Sequence, residues 1–436
     1  MTDRPAILYA FYGDDFTGST DVLEQLASNG VPAVLYLAPP TPAHLAAFPE
    51  ARAIGIAGDS RSRSPKWMSS HLPGIFAALK TFHAPIVHYK VCSTFDSSPS
   101  HGSIGRAIEL GREILGPHFV PIVVGAPHLR RYVAFGNLFV AAPDGTILRI
   151  DRHPMSHHPV TPMREADLRL HLRAQTTAPI GLLDITALRS GTAAESLEAQ
   201  LSAGCETILF DTIDSETQSA AGELLWQEAQ RQPLFSASSS GLTAAIIPAM
   251  RKAGLLVEPV PPATIEPSAP LLVISGSCSV VTERQIRYAL HHGYLGTAVD
   301  AAALLAPPTA AAARAAAVKA AIASLNAGRD TILYTALGSP AAPAHGDRLG
   351  SALGSLLREI IARTAVRRVL LCGGDTSSYA IPQLGLYALT WLANLQPGAP
   401  LCRAYANDEG SHLHHLELVL KGGQVGTDDF FDVVRG

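Results

Sequence analysis

One regularity restricts the fold more than any other: short β-branched runs recur along the chain, each followed by a stretch with helix-like apolar spacing. Candidate strands cover 33–37, 53–57, 86–91, 120–124, 180–183 and 208–210, with helical patterns such as 69–80 and 102–115 between them. Strands interleaved with helices specify βαβ units and a mainly parallel sheet. The rhythm breaks at 255–270, LLVEPVPPATIEPSAP, where five prolines from Pro259 to Pro270 favour an extended, flexible linker. It restarts with runs at 271–275, 331–335 and 369–372 and helical patterns at 282–292, 310–325 and 352–364. The alanine-rich stretch 310–325 reads as an ordinary helix, because alanine is the best helix former. The expected fold class is α/β: two α/β domains with mainly parallel sheets, 1–258 and 271–436, joined by 259–270, with the active site in the interdomain cleft.

Composition narrows the function. With 436 residues, 47% hydrophobic and 16% charged, the chain can bury two or three packed domains and lacks the signature of disorder. A formal charge of −4 and no run of Lys/Arg argue against a nucleic-acid partner. No apolar stretch reaches the roughly 18–20 residues of a membrane span, and Met1-Thr2-Asp3-Arg4-Pro5 leads straight into a strand, so a cytoplasmic enzyme with no membrane partner is expected. Five cysteines, Cys92, Cys205, Cys278, Cys372 and Cys402, lie far apart without a CxxC pair, which gives neither a zinc framework nor a disulfide ladder.

In doubly wound sheets ligands bind beyond the carboxyl ends of strands, so polar turns directly after apolar runs are where chemistry is sought. Three such turns fall in the C-terminal half. Ser275, Gly276, Ser277 and Ser279 follow the strand LLVI and precede a helix holding Thr282 and Gln285, an arrangement whose backbone N–H groups and hydroxyls suit phosphate oxygens. Gly373, Gly374, Asp375, Thr376 and Ser377 close the run VLLC in the same way, and Gly422 and Gly423 follow Lys421. Gly398 joins these nucleotide candidates. No GxxxxGK[ST] and no GxGxxG follows a strand, so each cluster alone is an ordinary tight turn, and it is the three together that point to a nucleotide.

The N-terminal half has a different accent. Asp14 and Asp15 stand side by side in GDDFTGSTD, and adjacent like charges cost free energy unless a cation, a hydroxyl or a metal ion shares them. One carboxylate suits a general base and the other a ligand or Mg²⁺ contact; Asp15 also reads as a helix N-cap, and both roles can coexist. Lysine occurs only six times, yet Lys90 ends a strand and is followed by Ser93, Thr94 and Asp96, a set suited to a small oxygen-rich anion. Arg61 and Arg131 can add bidentate carboxylate contacts, whereas Arg63 and Arg130 read as solvated surface charges. The histidines of HPMSHHP (His153, His157, His158) and HLHH (His412, His414, His415) lack a carboxylate at a metal-site spacing and read as loop features, so no metal ligand is assigned. Cys278, without an assigned histidine partner, reads as a small buried residue rather than a nucleophile.

The order GDDFTGSTD, KVCSTFDSSPSHGSIG, APHLRRYVAFGNLFV, HHPVTPM, SSSGL, SGSCSVVTERQ and CGGDTSS resembles the four-carbon acid sugar kinase family, along nearly the whole chain. The resemblance implies an N-terminal acid-sugar domain, a C-terminal nucleotide domain, and ATP-dependent phosphorylation of a hydroxyl of a sugar acid such as a tetronate or 3-oxo-tetronate. The family's acidic motif falls on Asp14, Asp15, Thr17, Gly18 and Asp21, and its lysine motif on Lys90, Ser93, Thr94, Gly102 and Gly105. Its nucleotide motifs fall on Ser277, Ser279, Thr282, Gln285 and Gly373 to Ser377. Where relatives read like KIDSTLRGN, this chain has KVCSTFDSSPSHG, so the residues around Cys92 and Asp96 differ and the arginine after the Ser-Thr pair is absent. A related branch acting on branched or 3-oxo sugar acids, such as 3-oxo-isoapionate, is the alternative substrate class; a sugar-acid isomerase or sensor is the rival without ATP chemistry. The expected cofactors are ATP and Mg²⁺, and a homodimer is expected.

Overall fold

The computed structural model describes residues 5–142, 144–157, 161–259, 261–268, 270–338 and 346–436. His158, Pro159 and Val160 of HHPVTPM, and the linker residues Val260 and Ala269, lie outside the described residues. In chain order the strands of the first half are β1 (Tyr9–Gly13), β2 (Ala33–Tyr36), β3 (Ala53–Ala57), β4 (Ile86–Lys90), β5 (Val120–Val123), β6 (Arg131–Ala134), β7 (Asn137–Ala141), β8 (Ile147–Arg149), β9 (Ile180–Leu183), β10 (Thr207–Phe210) and β11 (Leu234–Ser238). Those of the second are β12 (Leu271–Ser275), β13 (Leu295–Ala298), β14 (Thr331–Tyr334), β15 (Arg368–Cys372), β16 (Leu386–Gln396), β17 (Ala399–Ala406) and β18 (Glu417–Lys421).

The chain forms two compact units, and they are not cut by one linker. Unit 1 comprises Met1–Asp14, Gln25–Ala33 and Leu45–Pro259; unit 2 comprises Asp15–Glu24, Val34–His44 and Val260–Gly436. The acidic motif is thereby divided at the Asp14–Asp15 peptide bond, with Thr17 and Asp21 in unit 2. A reading of local patterns does not reveal this, because a helix start or a strand carries no label for the unit in which its partners sit.

In unit 1, β11, β4, β1 and β3 run parallel in that order, register Gly13 beside Ala57 and Lys90, and Ser238 beside Lys90. β5, β10 and β9 form a second parallel sheet, and β6, β7 and β8 a small antiparallel one. Every residue of β1 is buried, as a strand covered on both faces requires. Phe76, Tyr89 and Phe235 meet edge to face beside it, at 5.3 to 6.1 Å between centroids.

In unit 2, β18, β15, β12, β14 and β13 run parallel. β17 pairs antiparallel with β18, β16 with β17, and β2 with β16. No strand is expected after 372, yet β16 and β17 make a hairpin whose turn, Pro397-Gly398, carries the Pro-Gly signature of a tight turn between apolar runs. Leu271, Val273, Ile286, Ile332, Leu370, Val419 and Phe430 form the core.

The proline stretch is not a free tether. Within unit 1 Val257 N–H donates to Gly30 O (3.0 Å); within unit 2 Ala263 N–H donates to Leu392 O (2.9 Å) and Ser268 N–H to Arg435 O (2.9 Å). Residues that are not proline keep their donors, and here those donors find carbonyls.

The helix Phe16–Ser28 carries Glu24, buried in unit 2, whose Oε2 accepts from the Gly398 N–H at 2.9 Å. Burial, reinforced by the Asp21 carboxylate one turn earlier, pushes the Glu24 carboxyl up to about 8 from its ordinary 4.5. Below the ordinary value both folded and unfolded chains hold this proton; between about 4.5 and 8 the unfolded chain releases it and the folded one does not, so Glu24 lowers stability as pH rises through that window. Glu24→Gln, whose amide oxygen can still accept from Gly398, is expected to melt above the parent at pH 8, with the difference shrinking towards pH 5. Melting curves of both chains at four pH values check this, and a variant less stable at pH 8 contradicts it.

Candidate active site

Unit 1 gathers its polar residues at the carboxyl ends of β1, β3 and β4. Asp14 is held by its backbone: its N–H donates to Lys90 O (2.9 Å) and its carbonyl accepts from Arg61 N–H (3.1 Å). Asp14 and Lys90 are both buried, at 4% and 3% exposure.

Around them stands a second, self-satisfied cluster. Arg61 Nη2 donates to both oxygens of Asp96 (2.9 and 2.8 Å), and Thr94 Oγ1 and Thr161 Oγ1 also donate to that carboxylate. Asp96, expected as a ligand contact, is thus buried and spent on three protein donors; it anchors Arg61 and the 92–97 loop. Gly102 shows why this loop needs a glycine: at φ +57° a Cβ would lie 2.4 Å from the Arg61 carbonyl oxygen. Arg131 opens β6 and donates to Leu129 O (2.8 Å), its acidity shifted by burial within electrostatic reach of the Cys92 thiol. Ser93 is half-buried in the same loop.

In unit 2 the three glycine-rich turns meet. Ser277 Oγ accepts from Ser279 N–H (3.2 Å), and Ser279 Oγ caps the helix Val280–His291 through Val281 N–H (3.2 Å). A Cβ on Gly423 would lie 3.1 Å from Ser277 Oγ and 3.0 Å from Ser279 Cβ. One on Gly276 would lie 2.5 Å from Thr376 Oγ1, and one on Gly373, at φ +116°, would lie 2.9 Å from the same oxygen. Side chains on these glycines would fill the space between the turns, so the turns form a cradle lined by backbone and hydroxyls. Ser377 stands in it, wholly buried, with an Oγ that finds no hydrogen-bond partner among the described residues. A buried donor in that state fits an anionic oxygen.

Lys421 was no candidate from the sequence, and its place is informative. Its ammonium is buried and donates to Thr282 Oγ1 and to Gly422 O, both at 3.0 Å, while Thr282 Oγ1 donates to Gly423 O at 3.0 Å. The lysine therefore ties Thr282 to the 421–423 turn. Burial pulls its pKa down, and burial also pushes the neighbouring Cys372 thiol up to about 11. Burial likewise raises the Cys278 thiol, which removes the thiolate a nucleophile needs. Gln285 Nε2 donates to Val425 O and Thr427 O, 3.1 and 2.9 Å, so it positions the turn. Gly398 lies at the hairpin turn just before β17, whose antiparallel register with β18 (Leu401 beside Val419) puts the turn at the end of the sheet where Lys421 lies, and a Cβ there would meet nothing within 4 Å.

The start of the helix Phe16–Ser28 reaches the Gly373–Ser378 turn. Asp15 Oδ1 accepts from Gly18 N–H (2.5 Å) and Oδ2 from Thr17 Oγ1 (3.1 Å), while Phe16 N–H donates to Ser378 Oγ (3.3 Å). A Cβ on Gly374 would lie 3.6 Å from Asp15 Oδ2 and 3.9 Å from Thr17 Oγ1. Asp15 and Thr17, expected in the acid-sugar set, fall in unit 2 with the glycine turns. Asp375 packs its carboxylate 3.3 Å from the Cβ position of Gly346. Among the described residues no group of three or more His, Cys, Asp or Glu could hold a metal ion; Mg²⁺ on a triphosphate needs only one or two protein carboxylates, so the donor set fits it.

Comparison with known proteins decides the kinship. The sugar-binding N-terminal domain family matches residues 9–246, and the nucleotide-binding C-terminal domain family matches 272–431. The chain belongs to the four-carbon acid sugar kinase family. As a member it is a sugar-acid kinase, a phosphotransferase with an alcohol acceptor that uses ATP with Mg²⁺. It is 44% identical to the 3-oxo-isoapionate kinase of Paraburkholderia graminis, over 98% of this chain and 94% of that one. It is 30% identical to the 3-oxo-tetronate kinase of Cupriavidus necator, over 99% and 97%, and 29% identical to that of Pseudomonas fluorescens, over 99% and 97%. Two crystal structures share the fold of this family member: a protein of Salmonella typhimurium LT2 described as a tRNA synthase (24% identical, TM-score 0.76, 98% of both chains) and a Haemophilus influenzae protein (23% identical, TM-score 0.69, 98% and 99%). Among the described residues no helix is long and apolar enough to cross a membrane.

Proposed function

We propose that the acceptor of this kinase is a branched 3-oxo sugar acid of the 3-oxo-isoapionate type. One observation carries the reading: the chain is 44% identical, nearly end to end, to a 3-oxo-isoapionate kinase, against 29–30% to 3-oxo-tetronate kinases over the same span. The loop after Lys90 supports it, because KVCSTFDSSPSHG departs from the tetronate-kinase pattern where an acid would be held.

Bound Mg-ATP supplies the transferable γ-phosphoryl group. Phosphoryl transfer asks the protein mainly for positioning and charge neutralisation. Residues 1–258 hold the acid: Lys90 and Arg131 neutralise it, Ser93 contacts its oxygens, and the Arg61–Asp96 pair, held by Thr94, fixes the loop. Asp14 orients the acceptor hydroxyl and takes its proton. Residues 271–436 hold the nucleotide, with the cradle of 275–279, 373–377 and 422–423 around the phosphates and Gly398 beside them. Asp15, which has joined that unit, contributes a carboxylate to the metal–phosphate end, and Asp21 stands nearly two turns along the helix that follows it. The reaction belongs in the cytoplasm, where ATP is made, and the expected homodimer would show in light scattering as two chains of 45.9 kDa.

The test is ADP release coupled to a reporter, with 3-oxo-isoapionate and a 3-oxo-tetronate compared at equal concentration. A kcat/KM at least about tenfold higher for the branched acid is expected, the discrimination that one misfitted carbon group supports. Preference for the unbranched acid overturns the assignment.

A further inference from the structure

The serine run at the end of β11, Ser236-Ala237-Ser238-Ser239-Ser240, lies beside Lys90 and has no role so far. Three of its four hydroxyls are used by the fold. Ser236 Oγ donates to Pro121 O (2.8 Å), Ser238 Oγ accepts from Val123 N–H (2.8 Å), and Ser239 Oγ donates to Val124 O (2.7 Å) while accepting from Gly241 N–H (2.9 Å). The fourth is different. Ser240 is 1% exposed, and its Oγ has no hydrogen-bond partner among the described residues.

Its position is rigidly set. Ser238 is in parallel register with Lys90, and the Ser238 carbonyl accepts from Val91 N–H and from His88 Nε2, both at 2.8 Å. Burial pulls the His88 pKa down to about 3, so the ring is neutral: Nε2 carries the proton it donates, and Nδ1 is left to accept from Tyr9 OH at 2.9 Å. Two residues on, Ser240 opens the 13-residue helix Ser240–Lys252, whose amino end favours negative charge. A buried hydroxyl left unmet costs stability unless something meets it. At a helix start next to the strand end that bears Lys90, that something is an anion.

We propose that Ser240 is a substrate-binding residue of the sugar-acid site, donating its hydroxyl to the carboxylate of the acid; the inference rests on the sugar-acid reading of unit 1. Its signature separates it from a structural serine. Removing a hydroxyl that the empty protein leaves unpartnered costs no stability, whereas losing a hydrogen bond to a charged group weakens the bound state by about 1.5–3 kcal/mol, a factor of about 10–100.

The experiment compares Ser240→Ala with the parent. Expected for the variant are a melting temperature without ligand no lower than the parent's, a KM for the acid raised about 10–100-fold, an unchanged KM for ATP, and a lost thermal shift with the acid. An unchanged KM for the acid overturns the assignment, and so does a fall in the ligand-free melting temperature, which would mean that the hydroxyl serves the fold. The parent is assayed first with 3-oxo-isoapionate and a 3-oxo-tetronate: if it prefers the unbranched acid, the substrate reading fails on its own, and Ser240 is judged on the acid that is turned over.

Discussion

Asp14→Asn is expected to fold, to bind ATP as the parent does, and to release ADP about 10²–10⁴-fold more slowly, the range a positioned general base contributes. The substitution preserves shape, and the backbone of residue 14 stays pinned by Lys90 and Arg61 whatever its side chain. What it removes is the ability to accept the hydroxyl proton as phosphoryl transfer proceeds. Asp14 is the assigned base because it stands in unit 1 with Lys90 and the acid-binding loop, whereas Asp15 falls in unit 2 with the glycine turns. Asp15 Oδ1 and Oδ2 take the Gly18 N–H and the Thr17 hydroxyl in the first turn of their helix, and an asparagine there keeps an acceptor for the same cap. Single-turnover ADP release, beside ATP-induced thermal shifts, measures both variants. If Asp14→Asn keeps more than a tenth of the rate, the base is not Asp14; if Asp15→Asn is the slower of the two with ATP binding intact, the two roles are exchanged.

Gly373→Ala is expected to lose ATP binding altogether. With φ +116° and ψ 134° the residue occupies a backbone region open essentially to glycine, and forcing alanine into it costs about 1–3 kcal/mol. The new methyl also falls 2.9 Å from Thr376 Oγ1 and 3.4 Å from Ser277 Cβ, between two of the three turns. Relief requires one turn to retreat from the other, which dismantles the cradle. The ATP-induced rise in melting temperature that mass action demands of the parent should vanish. A variant that still shows the full shift would mean that phosphate is held elsewhere in unit 2.

Much of this arrangement can be read from residue patterns, for a physical reason. Strands such as 53–57 and 271–275 are buried on both faces, so they appear as unbroken apolar runs, and the polar turns that follow them are marked by glycine and serine. The hairpin of β16 and β17 is harder to see: β16 mixes buried, half-buried and exposed residues over 11 positions with no long unbroken buried run, and only Pro397-Gly398 betrays it. Lys421 escapes for another cause. A lysine opening a glycine-rich turn carries no mark in the sequence of the partners it keeps, and the fold shows that Thr282 and the Gly422 carbonyl hold it. Asp96 is the same lesson in the opposite sign, a carboxylate that reads as a ligand contact and is consumed by Arg61, Thr94 and Thr161. Local chemistry identifies the type of group; how many partners it has already is settled by segments far along the chain.

That Asp15–Glu24 and Val34–His44 belong with the C-terminal unit bears on how such an enzyme can change its diet. A splice at the proline stretch would carry the helix that meets Gly374, and the strand that pairs with β16, away with the wrong half. The two halves are therefore poor currency for recombination: a chimera joining the front of one relative to the back of another would graft a foreign helix and strand into the nucleotide unit. New acceptors are then more readily acquired by point changes in place, in stretches such as 92–101, than by trading whole halves, which makes end-to-end divergence the natural record of substrate history in chains built this way.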